Sequence, residues 1–454
     1  MPLGTAKQLG RGRQPIRIWE SREQFFTELG LFLLGAAGTY SVSVIGMLPG
    51  NEILLLPALP VALLIHSRRA FRREYLWFYI LVFGWLFGTI FGDLYLGSPI
   101  GTSIKGAARV VFFALDFMLL AVVINNSTRR MIIFLSSIFV EMLYNVHLFR
   151  GDFLTQWKFG GSSIVTITAF LLSCYFYSRR RYWVYGSIVF GVAALNLIFA
   201  FRSQTATVVV SAAMILPVFA KGGKYGGKHS PGETFFKIAV VLALAGGAAF
   251  GANKAIRIAV ENGLFDESVS QKFEMQSAGK LGVLVGGRPE TLVALQAIRD
   301  SPIIGHGSFP VDTKYLDLKQ DLQYEYGYTE TDTPEDVEEP VIPTHSHLTM
   351  AWVESGILGG VFWIYVLGLT FRGIMKVSFT RPPLAPIYSY LLLNFVWNVL
   401  YSPFGSVNRM WAAYFILLSY KIVKSPTPQA FSARQPKARL PFGKTMVRLS
   451  GNPI

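Results

Sequence analysis

The chain has 454 residues, of which 52% are hydrophobic and 15% are charged, and its mean hydropathy is +0.41. Because an ordinary soluble domain carries about 25% charged residues, this composition argues against a soluble enzyme and predicts an integral membrane protein. A formal net charge of +15 can indicate a nucleic-acid-binding protein, but the distribution of the basic residues makes nucleic acid unnecessary as a partner.

Apolar runs recur along the chain, and most are about 18 residues long, enough to cross a hydrocarbon core of roughly 30 Å as an α-helix. The first run lacks a small-residue cleavage site and is typical of a retained helix. The second is short and contains Pro57 and Pro60, which indicates a half-helix or a re-entrant segment. We predict an all-α bundle of about twelve transmembrane helices, at residues 30–48, 53–66, 75–93, 107–125, 131–149, 161–178, 183–200, 205–220, 235–252, 347–370, 384–401 and 409–423.

Basic residues alternate from one side of these helices to the other. With the N-terminus in the cytoplasm, 27 of the 42 Lys and Arg residues fall in cytoplasmic segments, among them Arg68-Arg69 and Arg179-Arg180-Arg181. This bias follows the positive-inside rule and makes the basic segments 1–29 and 424–454 both cytoplasmic.

One long polar segment, residues 254–346, separates the first nine predicted helices (30–253) from the last three (347–423). It carries 16 of the 27 Asp and Glu residues. Because an odd number of predicted helices, nine, separates this segment from the cytoplasmic N-terminus, it is predicted to lie outside the cytoplasm. A loop of such length in a compact protein is usually functional.

Within this loop, RPETLVALQAIRD (288–300) predicts an amphipathic helix with Pro289 at its first position. Apolar side chains predicted to share one side of that helix are Leu292, Leu295 and Ile298. Four tyrosines follow, whose rings could stack on sugars or simply pack the loop onto the helices: Tyr315, Tyr324, Tyr326 and Tyr328.

The end of the loop and the start of the tenth predicted helix carry HSHLTMAWVESGILGG (345–360). His345 stands at the membrane interface, His347 follows it, and Glu354 lies inside the predicted helix. A histidine that titrates near neutral pH at such a position can accept a proton from an attacking hydroxyl group. Glu354 is costly in a membrane span, so we expect a supporting role or a hydrogen bond to a neighbouring helix.

Three arginines are predicted on the same outer face. Arg202 lies in AFRSQTA (200–206), Arg288 begins the loop helix, and Arg409 belongs to the last outer loop. Arginine stays charged and donates paired hydrogen bonds to phosphate groups, and Arg288 precedes a helix N-terminus, which also favours anions. Since ATP and nucleotide sugars are absent outside the cytoplasm, a transferase there needs a membrane-borne activated donor, such as a polyprenyl diphosphate glycan.

The histidine segment, the Arg202 segment and the Arg288 helix with its Pro-Ile-Ile-Gly turn together resemble the O-antigen ligase and O-antigen polymerase superfamily over about the last 260 residues. The chain has Ser346 where that family frequently has Asn. The resemblance implies a GT-C-like fold in a bacterial inner membrane. It also implies a metal-independent, inverting glycosyltransferase that needs no cofactor and uses a polyprenyl-diphosphate-linked glycan donor.

On this interpretation His345 is the catalytic base, with His347 and Glu354 in support, and the diphosphate of the donor is held by Arg288, Arg202 and Arg409. The first-choice function is polymerisation of lipid-linked repeat units into exopolysaccharide or O-antigen-like glycan. The alternatives are a ligase that transfers the glycan to lipid A core, an oligosaccharyltransferase acting on protein, and a transporter or flippase for the same lipid-linked glycan. Expected partners are the lipid-linked donor and acceptor, membrane lipids, and a chain-length regulator or a flippase.

Further acids, Asp93, Asp116 and Glu141, lie near or within predicted helices, and we interpret them as packing partners, any of which could pair with Arg109. His306 and the two histidines of the 345–360 segment have the residue type for zinc, but their spacing is too loose, so no metal is expected.

Overall fold

The structure, a computed structural model, describes residues 18–44, 46–148, 156–199, 201–216, 289–325 and 341–425, with scattered residues between 246 and 263. Its α-helices are α1 Ile18–Ala36, α2 Gly50–Ala70, α3 Leu76–Leu96, α4 Ile100–Ile124, α5 Thr128–Leu148, α6 Ser162–Ser178, α7 Tyr182–Ile198, α8 Arg202–Ile215, α9 Pro289–Asp300, α10 Thr313–Glu325, α11 His347–Thr380, α12 Ala385–Tyr401 and α13 Asn408–Lys424. Two short strands, β1 Ser41–Ser43 and β2 Met47–Pro49, form an antiparallel pair. The predicted helix 235–252 and the acidic run of the loop lie almost entirely outside the described residues.

The described part of the chain is mostly helical, and the length and composition of its helices are typical of a membrane protein. Four of its helical segments are long and apolar enough to span a bilayer, namely Gly50–Ala70, Arg73–Leu96, Ile100–Ile124 and His347–Thr380. On α3, the rings of Phe87 and Phe91 stack at 5.8 Å, yet both side chains are largely exposed. An apolar stripe of this kind on the outside of a bundle is expected where lipid replaces water as the solvent.

The helix α11 lies at the centre of the bundle and packs against α3, α12 and α13, while α4 packs against α2 and α13. Aromatic side chains fill the space between α3, α4 and α11. Phe78 stacks on Phe117 at 3.8 Å between ring centroids, and Trp85 stacks on Phe362 at 5.2 Å. These buried contacts hold α3 and α4 against α11 and so fix the positions of the polar residues nearer their ends.

The predicted first span, residues 30–48, is wrong. The helix α1 begins earlier and ends at Ala36, and the chain then turns through the β1–β2 hairpin, where Gly50 donates its amide to the carbonyl of Tyr40 at 2.6 Å. The alternating sequence Ser-Val-Ser favours extended backbone, and Gly46 adopts φ +82°, which a glycine in a tight turn readily does. The hairpin thereby reaches the end of the bundle at which α2 begins.

The second predicted span is longer than expected. The helix α2 runs for 21 residues with Pro57 and Pro60 inside it, and only His66 departs from helical backbone angles. The span was predicted to begin after Glu52 because a charged residue is costly in a membrane helix. Glu52 nevertheless belongs to the first turn of α2, since Arg409 balances its charge inside the bundle.

The helix α11 is interrupted at Gly356, whose φ is +61° and ψ is −152°. The loop segment that follows α9 enters this break. His306 donates its backbone amide to the carbonyl of Val353 at 2.7 Å, and Ile357 donates to the carbonyl of Ile303 at 3.1 Å. These bonds replace helical hydrogen bonds that the break removes, and they anchor the loop within the bundle.

The predicted loop helix is confirmed as α9, with Pro289 as its first residue. Its predicted apolar side is wrong, since Leu295 is 52% exposed. The buried face is instead made by small residues, among them Ala294 and Ala297. These allow the backbone of α9 to approach α11 closely.

Candidate functional site

A cavity of about 300 Å³ opens at the end of the bundle where α2, α4, α11 and α13 begin. Its walls come from the β1–β2 turn, the first half of α4, the loop segment, α11 and the connection between α12 and α13. The lining residues are Gly46, Met47, Leu48, Thr102, Lys105, Ala108, Arg109, Phe112, Phe309, Met350, Phe404, Gly405, Ser406 and Arg409.

Three cationic side chains converge on this cavity: Lys105, Arg109 and Arg409. Lys105 and Arg109 are four residues apart on α4 and therefore share a face of that helix. Arg409 comes from the first turn of α13. Phe112, Phe309 and Phe404 complete the walls. Basic groups on an otherwise aromatic and apolar surface suit an amphipathic ligand with an anionic group.

Arg409 is held by Glu52 in a buried, bidentate ion pair that joins α13 to α2. The Nε and Nη2 groups of Arg409 donate to the two carboxylate oxygens of Glu52 at 2.5 and 2.6 Å. Glu52 is fully buried and Arg409 is 7% exposed. This geometry fixes the guanidinium plane, and it leaves the remaining N–H groups of Arg409 for other acceptors.

Arg109 is held by Glu354 of α11, again in a buried ion pair. The guanidinium of Arg109 also lies over the ring of Phe309, 4.8 Å from its centroid. The Nε group of Arg109 is buried and has no acceptor among the described residues. A buried arginine donor without a partner at a cavity wall is the kind of group that a bound anion would satisfy.

The position of Phe309 depends on Asp93 of α3. One carboxylate oxygen of Asp93 accepts from the amide of Ser308 at 2.6 Å, and the other accepts from the Ser308 hydroxyl at 2.7 Å. Asp93 is thus a packing partner, as predicted, but for the loop and not for Arg109. Because the loop segment is fixed at both the α11 break and Asp93, Phe309 is a rigid part of the cavity wall.

The other two acids predicted inside the membrane, Glu141 and Asp116, also form no ion pair with Arg109, which pairs with Glu354. Glu141 accepts a hydrogen bond from the Trp411 indole at 2.8 Å and is a packing partner on α5. Asp116 is fully buried on α4, and neither of its oxygens has a hydrogen-bond partner among the described residues. The Arg409 guanidinium lies 6.0 Å from the centroid of the Phe112 ring, and Phe112 is one turn before Asp116 on α4.

The chain matches no family model, and a search of curated proteins finds no significant match. The cavity and its ion pairs are therefore the basis for inferring a function.

The two histidines of the 345–360 segment have different environments. His345 is exposed, just before the helix, whereas His347 is buried. The Nδ1 atom of His347 lies 2.6 Å from the carbonyl of Ser402, and its ring packs edge-on against Trp363 and Phe404 at 5.0 and 5.1 Å. His347 therefore has a packing role, and His345 is the more accessible of the two histidines.

Ser346 is the N-cap of α11. Its hydroxyl oxygen accepts from the amide of Thr349 at 3.1 Å and donates to the carbonyl of Val399 at 2.9 Å. Because His347 packs on Phe404 and Ser402, the start of α11 lies against the same α12–α13 connection that lines the cavity. His345 and the cavity thus belong to one end of the bundle.

The predicted diphosphate ligands are not all brought together. Arg409 lines the cavity, Arg202 does not, and Arg288 lies outside the described residues. Arg202 is half-buried at the start of α8. The nearby Gln204 of α8 donates to the Tyr390 hydroxyl of α12 at 2.5 Å. Arg202 therefore belongs to the α7–α8–α12 side of the bundle.

Among the described tyrosines of the loop, Tyr315 packs and Tyr324 is exposed. Tyr315 is 1% exposed, and its hydroxyl donates to Asp300 at 2.8 Å. Lys314 donates to the same carboxylate at 2.7 Å. The hydrogen bond from Lys314, followed by that from Tyr315, holds the pKa of Asp300 below its usual range. The α9–α10 hairpin is thereby closed by a charged cluster.

Sequence reasoning missed Glu52 and Lys105 as site residues. A signal for Glu52 existed, since an ionisable residue at the start of an apolar run needs a partner in the membrane. Lys105 had no local signal, because only the fold places it beside Arg109 and Arg409. In the described part of the chain, no group of three or more His, Cys, Asp or Glu side chains could hold a metal ion.

Proposed function

We propose that this protein is a glycosyltransferase of the membrane that extends a polysaccharide from polyprenyl-diphosphate-linked repeat units on the extracytoplasmic side. The observation that carries the proposal is the convergence of Lys105, Arg109 and Arg409 on one cavity, at the end of the bundle that also bears the exposed His345. The proposal includes a bundle of twelve transmembrane helices with a GT-C-like fold. It also includes the resemblance to O-antigen polymerases and ligases.

The orientation of the bundle supports an extracytoplasmic site. Helices that begin at the cavity end of the bundle have basic residues at their other end: Lys421 lies in the last turn of α13, and Arg68 and Arg69 lie in the last turn of α2. Lys376 lies near the end of α11 and donates to the carbonyl of Val423 at 2.9 Å. Under the positive-inside rule, this basic end faces the cytoplasm and the cavity faces away from it.

The chemistry that fits is displacement at an anomeric carbon. The donor's diphosphate binds the cationic wall, with Lys105 as the cation that has no ion-pair partner among the described residues, and the arginines contribute oriented donors. His345 accepts the proton of the attacking sugar hydroxyl. The hydroxyl oxygen bonds to the anomeric carbon as the diphosphate departs on the opposite face, so the configuration inverts.

A transporter for the same lipid-linked glycan is the second candidate. It is favoured by the buried carboxylates Glu52, Asp116 and Glu141, because ionisable groups inside a membrane commonly mark transport pathways. Transport does not require an exposed interfacial histidine.

The experiment is glycan transfer by the purified protein in liposomes, with a lipid-linked repeat unit as the sole substrate and chelator present. We expect ladders of longer lipid-linked glycan, abolished by His345→Ala and Arg288→Ala, while His66→Ala at the opposite end of α2 retains them. A conjugate formed only after lipid A core is added would identify a ligase. Movement of the lipid between leaflets without either product would identify a transporter.

A further inference from the structure

We propose that a binding site for the phosphate of an anionic phospholipid lies at the end of the bundle opposite the cavity, where three cationic side chains meet at the α4–α5 corner (residues 123–128). The ligand is a phosphate diester, and its source is a lipid of the adjoining leaflet and not a soluble anion. Because the inference concerns the end of the bundle away from the cavity, it does not depend on glycan transfer.

Two of the cations come from α5 and α13, and hydrogen bonds tie them to the corner. Arg130 donates from Nη1 to the carbonyl of Val123 at 2.7 Å. Lys421 donates from Nζ to the Thr128 hydroxyl at 2.6 Å. Both cationic side chains are half-buried, and neither has an ion-pair partner among the described residues. A guanidinium has five N–H donors and an ammonium has three, so each cation keeps donors for a further acceptor.

The third cation comes from the connection between α2 and α3. The Nη2 group of Arg72 donates to the side-chain oxygen of Asn125, and its Nη1 atom lies 3.6 Å from Glu74. Asn125 ends α4 with φ +47°, a left-handed conformation that asparagine tolerates. The same connection packs against α13, because the ring centroids of Tyr75 and Tyr420 are 5.2 Å apart. Contacts between separate helices therefore bring the three cations to one corner.

The acidic groups at this end of the bundle do not neutralise the cluster. Glu74 forms its ion pair with Arg72. The buried Glu28 of α1 pairs with Arg129 at 2.7 Å, and Glu23 of α1 is exposed to solvent. The positive-inside rule accounts for basic residues at this end, but it requires neither their partial burial nor their hydrogen bonds to one corner. An anionic ligand would balance the partly buried positive charge that remains.

The surroundings of Arg72 indicate a lipid and not a soluble anion. Apolar side chains close to it in the sequence are exposed, namely Phe71 (63%), Leu76 (51%) and Trp77 (60%). Tryptophan at the end of a membrane helix is typical of the interface with lipid headgroups. A phospholipid at this corner places its phosphate on the cations and its acyl chains on these apolar side chains. Basic pockets between membrane helices bind anionic headgroups in this way.

The test is retention of lipid by the full-length protein in nanodiscs, measured by native mass spectrometry. Phosphatidylglycerol and phosphatidylcholine with the same acyl chains are the probes, since they differ in net charge. We expect the wild type to retain phosphatidylglycerol in preference. Lys421→Gln should lower this preference about fivefold, because glutamine can still donate to Thr128 but carries no charge. Arg130→Gln with Lys421→Gln should lower it about twenty-five-fold.

The matched control is Arg68→Gln with Arg73→Gln, which removes two exposed charges from the same end of the bundle and should keep the wild-type preference. Thermal unfolding in phosphatidylcholine shows that each variant is folded, and Lys421→Gln alone decides the matter if the double variant is not. Equal losses in the two double variants would overturn the inference, because surface charge alone would then explain retention.

Two further outcomes would also overturn it. One is a wild type that retains both lipids equally, or a Lys421→Gln variant that retains them as the wild type does. The other is displacement of the lipid by inorganic phosphate at an equal concentration, which would identify a site for a soluble anion. Each of these outcomes is independent of whether the protein transfers glycan.

Discussion

Gly305 lies directly against Gly356, so that a Cβ atom on Gly305 would stand 2.6 Å from the amide nitrogen of Gly356. Both residues have positive φ, +83° and +61°. The loop can enter the break of α11 only because neither residue has a side chain. Through this contact the loop delivers Phe309 to the cavity wall.

Replacing Gly356 with Ala should therefore destabilise the protein. Backbone with φ +61° and ψ −152° is adopted almost solely by glycine and costs about 1–3 kcal/mol for another residue, and the close approach of the Ile303 backbone adds to that cost. Thermal unfolding in detergent, followed by light scattering, measures the effect. Gly368→Ala on the same helix is the control, because nothing lies within 4 Å of its added Cβ, and an equal loss in the two variants would contradict the prediction.

Breaking the Glu52–Arg409 pair from one side should be more damaging than removing both charges. Arg409→Met leaves the fully buried Glu52 uncompensated, at a cost of about 3–5 kcal/mol. The double variant Glu52→Gln with Arg409→Met should recover part of this loss. Unfolding of both single variants and the double variant gives the coupling energy, and strictly additive losses would rule out a paired role.

Replacing His345 and His347 one at a time should have different effects, because the first side chain is exposed and the second is buried. His345→Ala should abolish glycan transfer with little change in stability, because the residue is exposed. His347→Ala should lower the unfolding free energy by about 2–4 kcal/mol, since it removes a buried ring from Trp363 and Phe404 and frees the Ser402 carbonyl. Transfer and thermal unfolding are measured on both variants, and a stable but inactive His347→Ala protein would reverse the assignment.

The α9–α10 hairpin should loosen in acid. The pKa of Asp300 is lowered in the folded protein, so its contribution is present above the unfolded pKa and is lost as the pH falls through the folded value. Lys314 has a raised pKa because of Asp300, and its contribution is lost only at strongly alkaline pH. Hydrogen exchange of residues 289–325 should quicken as the pH falls below about 4, the usual range for an aspartate.

In Asp300→Asn this acid dependence should be reduced, after correction for the intrinsic pH dependence of exchange. The control is Asp317→Asn, an exposed acid on the same hairpin. If the two variants respond to acid alike, then the cluster around Asp300 does not close the hairpin.

Local patterns predicted much of the helical content. The apolar runs identified α3 to within a few residues and the end of α4, although α4 begins at Ile100 and not at 107, and Pro289 identified the start of the loop helix. The patterns failed where tertiary contacts decided the outcome. The first predicted span became α1 and a hairpin, and the partner of Arg109 proved to be Glu354 of α11, 245 residues away, and not Asp93, Asp116 or Glu141.

The sequence by itself determined that the chain is a helical membrane protein, because hydrophobic length and the absence of charges depend only on neighbouring residues. The same local information marked His345 at the start of a helix and Arg409 at the start of another. Only the tertiary structure decided that Arg409 pairs with Glu52, that Lys105 and Arg109 line the same cavity, and that His347 is buried. A buried charge is stable only with its partner, and the partner here comes from a distant helix, so the pairing is a property of the whole fold.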